Sequence, residues 1–166
     1  MGTVHYTYED VIGYAVLIEQ KGIKLYTDAA EGLKNEPARN ILLHLAEQER
    51  KHEEYFLKLK SEVHTQDSRK VDLDDESIGY LSALARNEIF PEDGKPQHER
   101  FQSLKDVIDF GMQAEKDSIL FYGELSRLGW EESTEKVLQS IIREEKKHLV
   151  QLVELGRLIE ERDVYY

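Results

Sequence analysis

The sequence predicts an all-α protein: an antiparallel four-helix bundle with one long crossover that carries a short extra helix. Three observations lead there. Four long stretches place apolar residues at the 3.6-residue spacing of a helix, with few Gly or Pro to interrupt them. A polar stretch near the middle, "SEVHTQDSRKVDLDD", shows no such spacing and reads as a connection. The second half also repeats the first without a gap. At an offset of 96 positions Thr7 falls on Ser103, the "DVI" from Asp10 to Ile12 on that from Asp106 to Ile108, Tyr26 on Tyr122 and Leu42 on Leu138. Two copies of a helical hairpin, joined end to end, make the bundle.

The first helix is expected over about residues 8–31, because Ile12, Ala15, Val16, Ile23 and Tyr26 share one face and Gly32 stands just beyond. Asn35 can cap the second, with Pro37 in its first turn, and Leu42, Leu45, Ala46, Phe56 and Leu59 carry it to about residue 61. A short helix is expected from Asp75 to Phe90, with Ile78, Leu81, Leu84 and Ala85 inward and Pro91 as its stop. Ser103 opens the third long helix, which runs to about Leu128. After a turn at Gly129, Ser133 or Thr134 caps the fourth, to about residue 162. Thr7 with Asp10 and Ser103 with Asp106 repeat a capping-box spacing at the two hairpin starts. The hairpins thus span about residues 8–61 and 104–162, the connection about 62–103, and residues 1–166 read as one domain.

Composition narrows the function. A net charge of −12 disfavours nucleic acid and anionic membrane surfaces and favours cations as partners. No apolar run has the length of a membrane span, and the N-terminal residues lack the basic and apolar regions of a signal peptide, so a cytoplasmic protein is expected. With no cysteine, disulfides, thiolate-held metals and a Cys nucleophile are excluded. Any metal must be held by oxygen and imidazole.

Glu-x-x-His occurs in the second helix as Glu49 and His52, and in the fourth as Glu145 and His148. Alone it is a weak signal. Its register is more specific. Glu19 precedes Glu49 by the same interval that separates Glu115 from Glu145, and in an antiparallel hairpin each pair falls at one level. Each Glu also interrupts an apolar stripe: Glu19 lies between Val16 and Ile23, Glu115 between Met112 and Ile119, and Glu49 and Glu145 follow Leu45 and Ile141. Surface ion pairs would leave the stripes whole. Four buried carboxylates repel one another and cost several kcal/mol each unless cations meet them. Lys21, Arg50, Lys51 and Lys147 fall off the stripes. Two divalent metals would cancel the four charges, with His52 and His148 completing their coordination.

With these residues in view, the chain resembles the ferritin-like di-iron carboxylate proteins, and within them the rubrerythrin-like branch, over nearly its whole length. The resemblance implies that Glu19 and Glu115 are terminal ligands, Glu49 and Glu145 bridging ones, and His52 and His148 terminal imidazoles. The chain departs from rubrerythrins proper in lacking a rubredoxin-like four-Cys iron site, and in having Ser118 where they carry a further Glu. Bacterioferritin holds haem by a Met beside the second-helix Glu, where Arg50 stands here, so no haem is expected. Only "DVYY" follows the fourth helix, so a storage cage is not expected and a homodimer is.

The expected cofactor is two iron ions per chain, with manganese or zinc able to occupy the same donors. The expected work is reduction of hydrogen peroxide or dioxygen, with electrons from a donor protein. Iron binding and ferroxidase-type handling is the alternative, and a helical interaction module with a purely structural metal is a third. Tyr26 and Tyr122 read as core residues or as hydrogen-bond partners of a ligand Glu. Gly22 and Ser118, one turn beyond Glu19 and Glu115, either ease helix packing or leave room for a small exogenous molecule. His44 is given no ligand role because its repeat position is Ser140, and His5, His64 and His98 read as solvated loop or terminal residues.

Overall fold

The computed structural model describes residues 6–66, 71, 73–86, 101 and 103–163. Among them are five helices and no strand: α1 (Tyr8–Glu31), α2 (Glu36–Gln66), α3 (Asp75–Arg86), α4 (Leu104–Ser126) and α5 (Glu132–Asp163). Both hairpins start on the same device. The Thr7 side chain accepts from the backbone N–H of Asp10 while the Asp10 carboxylate accepts from that of Thr7, and Ser103 and Asp106 repeat the arrangement. Asn35 Oδ1 accepts from the N–H of Ala38 at 3.0 Å and starts α2. Gly129 sits at φ 77°, a left-handed conformation that glycine takes without strain, and turns the chain from α4 to α5.

Helices α1 and α2 pair along their length, as do α4 and α5, and the hairpins meet through α1 with α4 and α2 with α5. Tyr26 reaches Glu115 and Tyr122 reaches Glu19, so α1 and α4 run antiparallel. The ion pairs His52–Glu145 and His148–Glu49 show the same for α2 and α5. It follows that α2 and α4 run in the same direction, and the connection between them must return along the bundle. That is why the middle segment is long. On its way it lays α3 against α1 and α4, burying Val71, Ile78, Leu81 and Ala85 in the core.

Two apolar clusters fill the bundle. One gathers Val11, Ile12, Phe56, Phe121, Leu125 and Leu138 with the α3 residues, and the other gathers Leu25, Leu42, Leu45, Ile108 and Leu152. The polar site lies between them.

Several boundaries differ from the sequence expectation. Helix α2 continues five residues past 61, to Gln66. Val63 packs against the core and His64 Nδ1 lies 2.9 Å from Glu9 Oε2, so the last turn is held by tertiary contacts that polar composition hides. His64 is therefore helical, although exposed as expected. Helix α5 begins at Glu132, ahead of the expected caps: the N–H of Glu135 bonds to the carbonyl of Glu131 at 3.0 Å, which places Ser133 and Thr134 inside the first turn. Helix α4 ends at Ser126, two residues before Leu128. Helix α3 is described to Arg86, and the rest of its expected span to Phe90 lies outside the described residues, as do His5 and His98.

Candidate metal centre

Helix periodicity brings Glu19 from α1, Glu49 and His52 from α2, Glu115 from α4, and Glu145 and His148 from α5 to one level of the bundle. None of the six is more than 4% exposed, so water cannot solvate their charges. Their donor atoms form two overlapping groups. Glu19, Glu49, His52 and Glu145 offer atoms all within 4.8 Å of one another, and so do Glu49, Glu115, Glu145 and His148. Glu49 and Glu145 belong to both. His44, by contrast, is exposed on α2 and outside either group.

Each imidazole turns Nδ1 toward the carboxylates. His52 Nδ1 lies 2.9 Å from Glu145 Oε1 and 3.6 Å from both Glu19 Oε2 and Glu49 Oε2. His148 Nδ1 lies 3.1 Å from Glu49 Oε1 and Glu145 Oε2, and 3.7 Å from Glu115 Oε2. The two rings stack with centroids 5.9 Å apart. Despite its closeness to Glu145 Oε1, His52 Nδ1 is not aligned with it as donor to acceptor. Those two atoms, together with Glu19 Oε2 and Glu49 Oε1, are the buried side-chain atoms left without a hydrogen bond among the described residues. Buried polar atoms are nearly always paired. Four that converge without pairing fit a cation that would take their lone pairs. A donor set of carboxylate and imidazole without thiolate fits iron, manganese or zinc.

The electrostatics make the same demand. Burial, reinforced by the charges of Glu49 and Glu145, pushes the Glu19 and Glu115 carboxyls well above the usual carboxylate range. Burial would raise Glu49 as well, but the close approach of the Glu19 carboxyl and of the His148 and His52 imidazoles outweighs that and holds it low. For the imidazoles burial favours the neutral form and is overcome by the surrounding carboxylates. The nearby carboxylates of Glu115, Glu145 and Glu49 push His148 up to about 12, and those of Glu145, Glu19 and Glu49 raise His52 in the same way. Without metal, protons supply the positive charge that the site requires.

Tyr26 Oη of α1 donates to Glu115 Oε1 of α4, and Tyr122 Oη of α4 donates to Glu19 Oε1 of α1. Burial first, then those carboxylates, pushes both phenols up, so they remain donors. Gly111 gives the first of these bonds room: a Cβ there would stand 3.2 Å from Tyr26 Cε1 and 3.1 Å from Leu152 Cδ1.

Beside Glu49 and Glu115 lies a small cavity lined by Gly22, Tyr26, Ala114 and Ser118 and roofed by Leu84 and Ala85 of α3. It offers about 40 Å³ to the centres of water-sized molecules, room for a molecule of a few atoms. Gly22 and Ser118 both face it. A Cβ at Gly22 would stand 3.3 Å from Glu49 Cγ, and the Ser118 hydroxyl donates to the Ala114 carbonyl of its own helix. Lys21 Nζ donates to the Ala85 carbonyl at 2.8 Å and ties α1 to the roof.

Neither this roof nor the contact of Glu144, whose Oε2 lies 2.9 Å from His52 Nε2, follows from the helical spacing or the repeat. The roof depends on the path of the crossover, which local spacing does not carry. Glu144 does leave a trace: with Ser140 it stands where the first half has Gln48 and His44, a break in the repeat next to a repeated motif.

The bundle and its donor set define a ferritin-like di-iron-carboxylate type of protein. The family model described as Rubrerythrin matches residues 10–155, and the chain belongs to the rubrerythrin family. Among solved structures it is similar to a putative ferritin-like diiron-carboxylate protein from Thermotoga maritima, at 27% identity and a TM-score of 0.68, over 94% of this chain and 98% of that one. It shares its fold with a hypothetical protein from Pyrococcus furiosus, at 23% identity and a TM-score of 0.68, over 94% of this chain and 92% of that one. No curated protein matches it. Among the described residues no helix is long and apolar enough to cross a membrane.

Proposed function

We propose that the protein is a non-haem di-iron oxidoreductase that reduces hydrogen peroxide or dioxygen. The observation that supports this most directly is the pair of overlapping donor groups sharing Glu49 and Glu145. In this reading two ions would be held by Glu49 and Glu145 in common, one of them also by Glu19 and His52 and the other also by Glu115 and His148. Two ferrous ions in these positions would supply the two electrons that, with two protons, convert one hydrogen peroxide to two waters.

The protein's own residues have definite parts. Glu49 and Glu145 would serve both positions, and Tyr26 and Tyr122 orient the outer carboxylates through their hydroxyls. Gly22 and Ser118 leave room in the cavity beside Glu49, and Leu84 and Ala85 of α3 line it from the crossover side. Without metal, burial keeps the carboxyls of Glu19 and Glu115 toward their protonated form, and metal binding would displace those protons.

Electrons would come from a separate donor protein, since this sequence has no cysteine for a thiolate-held redox centre. Pairing into a homodimer stays part of this proposal from the sequence reading, and exposed apolar side chains such as Val150, Val153 and Leu158 of α5 are candidates for such a contact. Residence in the cytoplasm remains the expectation from composition.

The test is anaerobic reduction of the iron-loaded protein followed by rapid mixing with each oxidant. Re-oxidation with about one peroxide consumed per two irons is the expected result. A diferrous state indifferent to peroxide, with added ferrous iron accumulating far beyond two per chain, would establish iron handling instead.

A further inference from the structure

The two halves of the site repeat each other in ligands but not in what stands behind them. His52 Nε2 meets Glu144 Oε2 at 2.9 Å, and the other oxygen of Glu144 accepts from Ser140 Oγ, one turn earlier on α5, at 3.5 Å. A carboxylate only accepts, so Nε2 carries a hydrogen, and a cation held among Glu19, Glu49 and Glu145 would meet the lone pair of Nδ1, which faces them. Ser140, Glu144 and His52 thus form a chain that fixes the ring and its tautomer from outside the core. The repeat-related positions for His148 are His44, exposed on α2, and Gln48. A neutral amide stands where the other half has a carboxylate.

A carboxylate behind a metal-binding imidazole orients the ring and makes it a stronger electron donor, and loss of such a partner commonly weakens metal affinity ten- to a hundredfold. We infer that Glu144 is a positioning residue that makes the two metal positions unequal, so that the one built from Glu19, Glu49, His52 and Glu145 holds a divalent cation more tightly than the one built from Glu49, Glu115, Glu145 and His148. This inference rests on the proposed metal assignment and adds an order of filling to it. The half-exposed side chain of Glu144, in a surface groove lined by Lys51, Tyr55, Lys136 and Arg143, also makes this the position whose electronic character the protein surface can reach.

Cobalt(II) titration of the full chain, followed by calorimetry and visible absorption, tests the inference. Two binding steps are expected, the tighter surviving His148→Gln and disappearing in His52→Gln. Glu144→Gln should weaken the tighter step about ten- to a hundredfold and leave the other within about twofold. Gln48→Glu should tighten the weaker step, and the exchange Gln48→Glu with Glu144→Gln should transfer the tighter step to His148. A variant that merely loosened the α2–α5 contact would lower both constants together. Equal weakening of both steps by Glu144→Gln, or no change in either, overturns the inference while leaving a dinuclear site intact. A native chain that binds no cobalt overturns it together with the metal assignment beneath it.

Discussion

Tyr122 on α4 donates its hydroxyl hydrogen to Glu19 on α1, so the outer carboxylate of one hairpin is held by the other hairpin. Tyr26 returns the bond to Glu115. The pair joins α1 and α4 on either side of the polar level, where their apolar contact is interrupted. Each phenol also satisfies a carboxylate oxygen that would otherwise face only apolar side chains and like charge.

Removal of either hydroxyl leaves its carboxylate oxygen buried and unpaired. Tyr122→Phe and Tyr26→Phe should each cost about 1–3 kcal/mol. In a chain of this size that corresponds to roughly 2–4 °C in melting temperature per kcal/mol. The two losses should be alike, because the bonds are related by the repeat. Thermal unfolding in the presence of chelator checks both, and a loss confined to one variant would show that the halves do not carry equal loads.

The same buried charges should make the stabilities of the metal-free and metal-loaded proteins diverge as the pH rises. His148, at about 12 when folded against 6.5 in an unfolded chain, contributes stability that is complete below about 6.5 and is lost as the pH climbs. His52 acts in the same direction, and so do Glu19 and Glu115, which keep protons that the unfolded chain releases near 4.5. Glu49 is shifted downward, so its contribution is lost only in acid. Between pH 6 and 9 the metal-free protein should therefore become steadily less stable. Metal binding must displace these protons, so its stabilisation grows over the same range. Melting temperatures at both pH values, with chelator and with ferrous iron under anaerobic conditions, should diverge as pH rises. Parallel curves would count against proton-for-metal exchange.

The convergence of Glu19, Glu49, His52, Glu115, Glu145 and His148 was legible because two regularities agree on it: helix periodicity turns each residue inward, and the repeat puts them at one level. What escaped the sequence lies where those regularities stop. Glu144 belongs to one half only, so a search for what repeats passes over it. Ser61 to Gln66 look like a connection by composition, yet Val63 reaches the core and extends α2. Ser133 and Thr134 are good caps by type, but the α4–α5 turn is short enough for Glu131 to take the place before the helix. The roof over the cavity depends on where the crossover lays α3, a tertiary outcome.

Two glycines in α4 should respond in opposite directions to the same substitution. Gly123 has open space at its missing Cβ, so Gly123→Ala should stabilise the helix by about 0.5–1 kcal/mol. At Gly111 a Cβ meets Leu152 Cδ1 at 3.1 Å and Tyr26 Cε1 at 3.2 Å. Overpacking there costs about 1–3 kcal/mol and outweighs the gain in helix propensity. Because Tyr26 must move away, Gly111→Ala should also loosen its bond to Glu115, whereas Gly123→Ala should not. Chemical denaturation of both variants gives the signs, and the near-ultraviolet tyrosine signal reports the displacement. Stabilisation by Gly111→Ala would show that Tyr26 has more freedom than its packing implies.

Glutamine at the site separates the roles of an outer and a shared carboxylate. Burial keeps Glu19 toward its protonated form without metal, and glutamine resembles that form in size and can still accept from Tyr122. Glu19→Gln should therefore leave the metal-free protein as stable as the native one, or slightly more so, since a potential negative charge is gone. Glu49 is held ionised by the close approach of Glu19 and of both imidazoles. Its replacement strands positive charge in the core, at a cost of about 3–5 kcal/mol in the metal-free state. With metal the contrast takes another form. Glu19 serves one donor group and Glu49 serves both, so Glu19→Gln should reduce the bound metal toward one ion per chain while Glu49→Gln reduces it toward none. Elemental analysis after gel filtration measures the second contrast, and thermal unfolding in chelator the first. Retention of two ions by Glu49→Gln would remove Glu49 from its bridging role, and the two overlapping groups would then have to be held together by Glu145 alone.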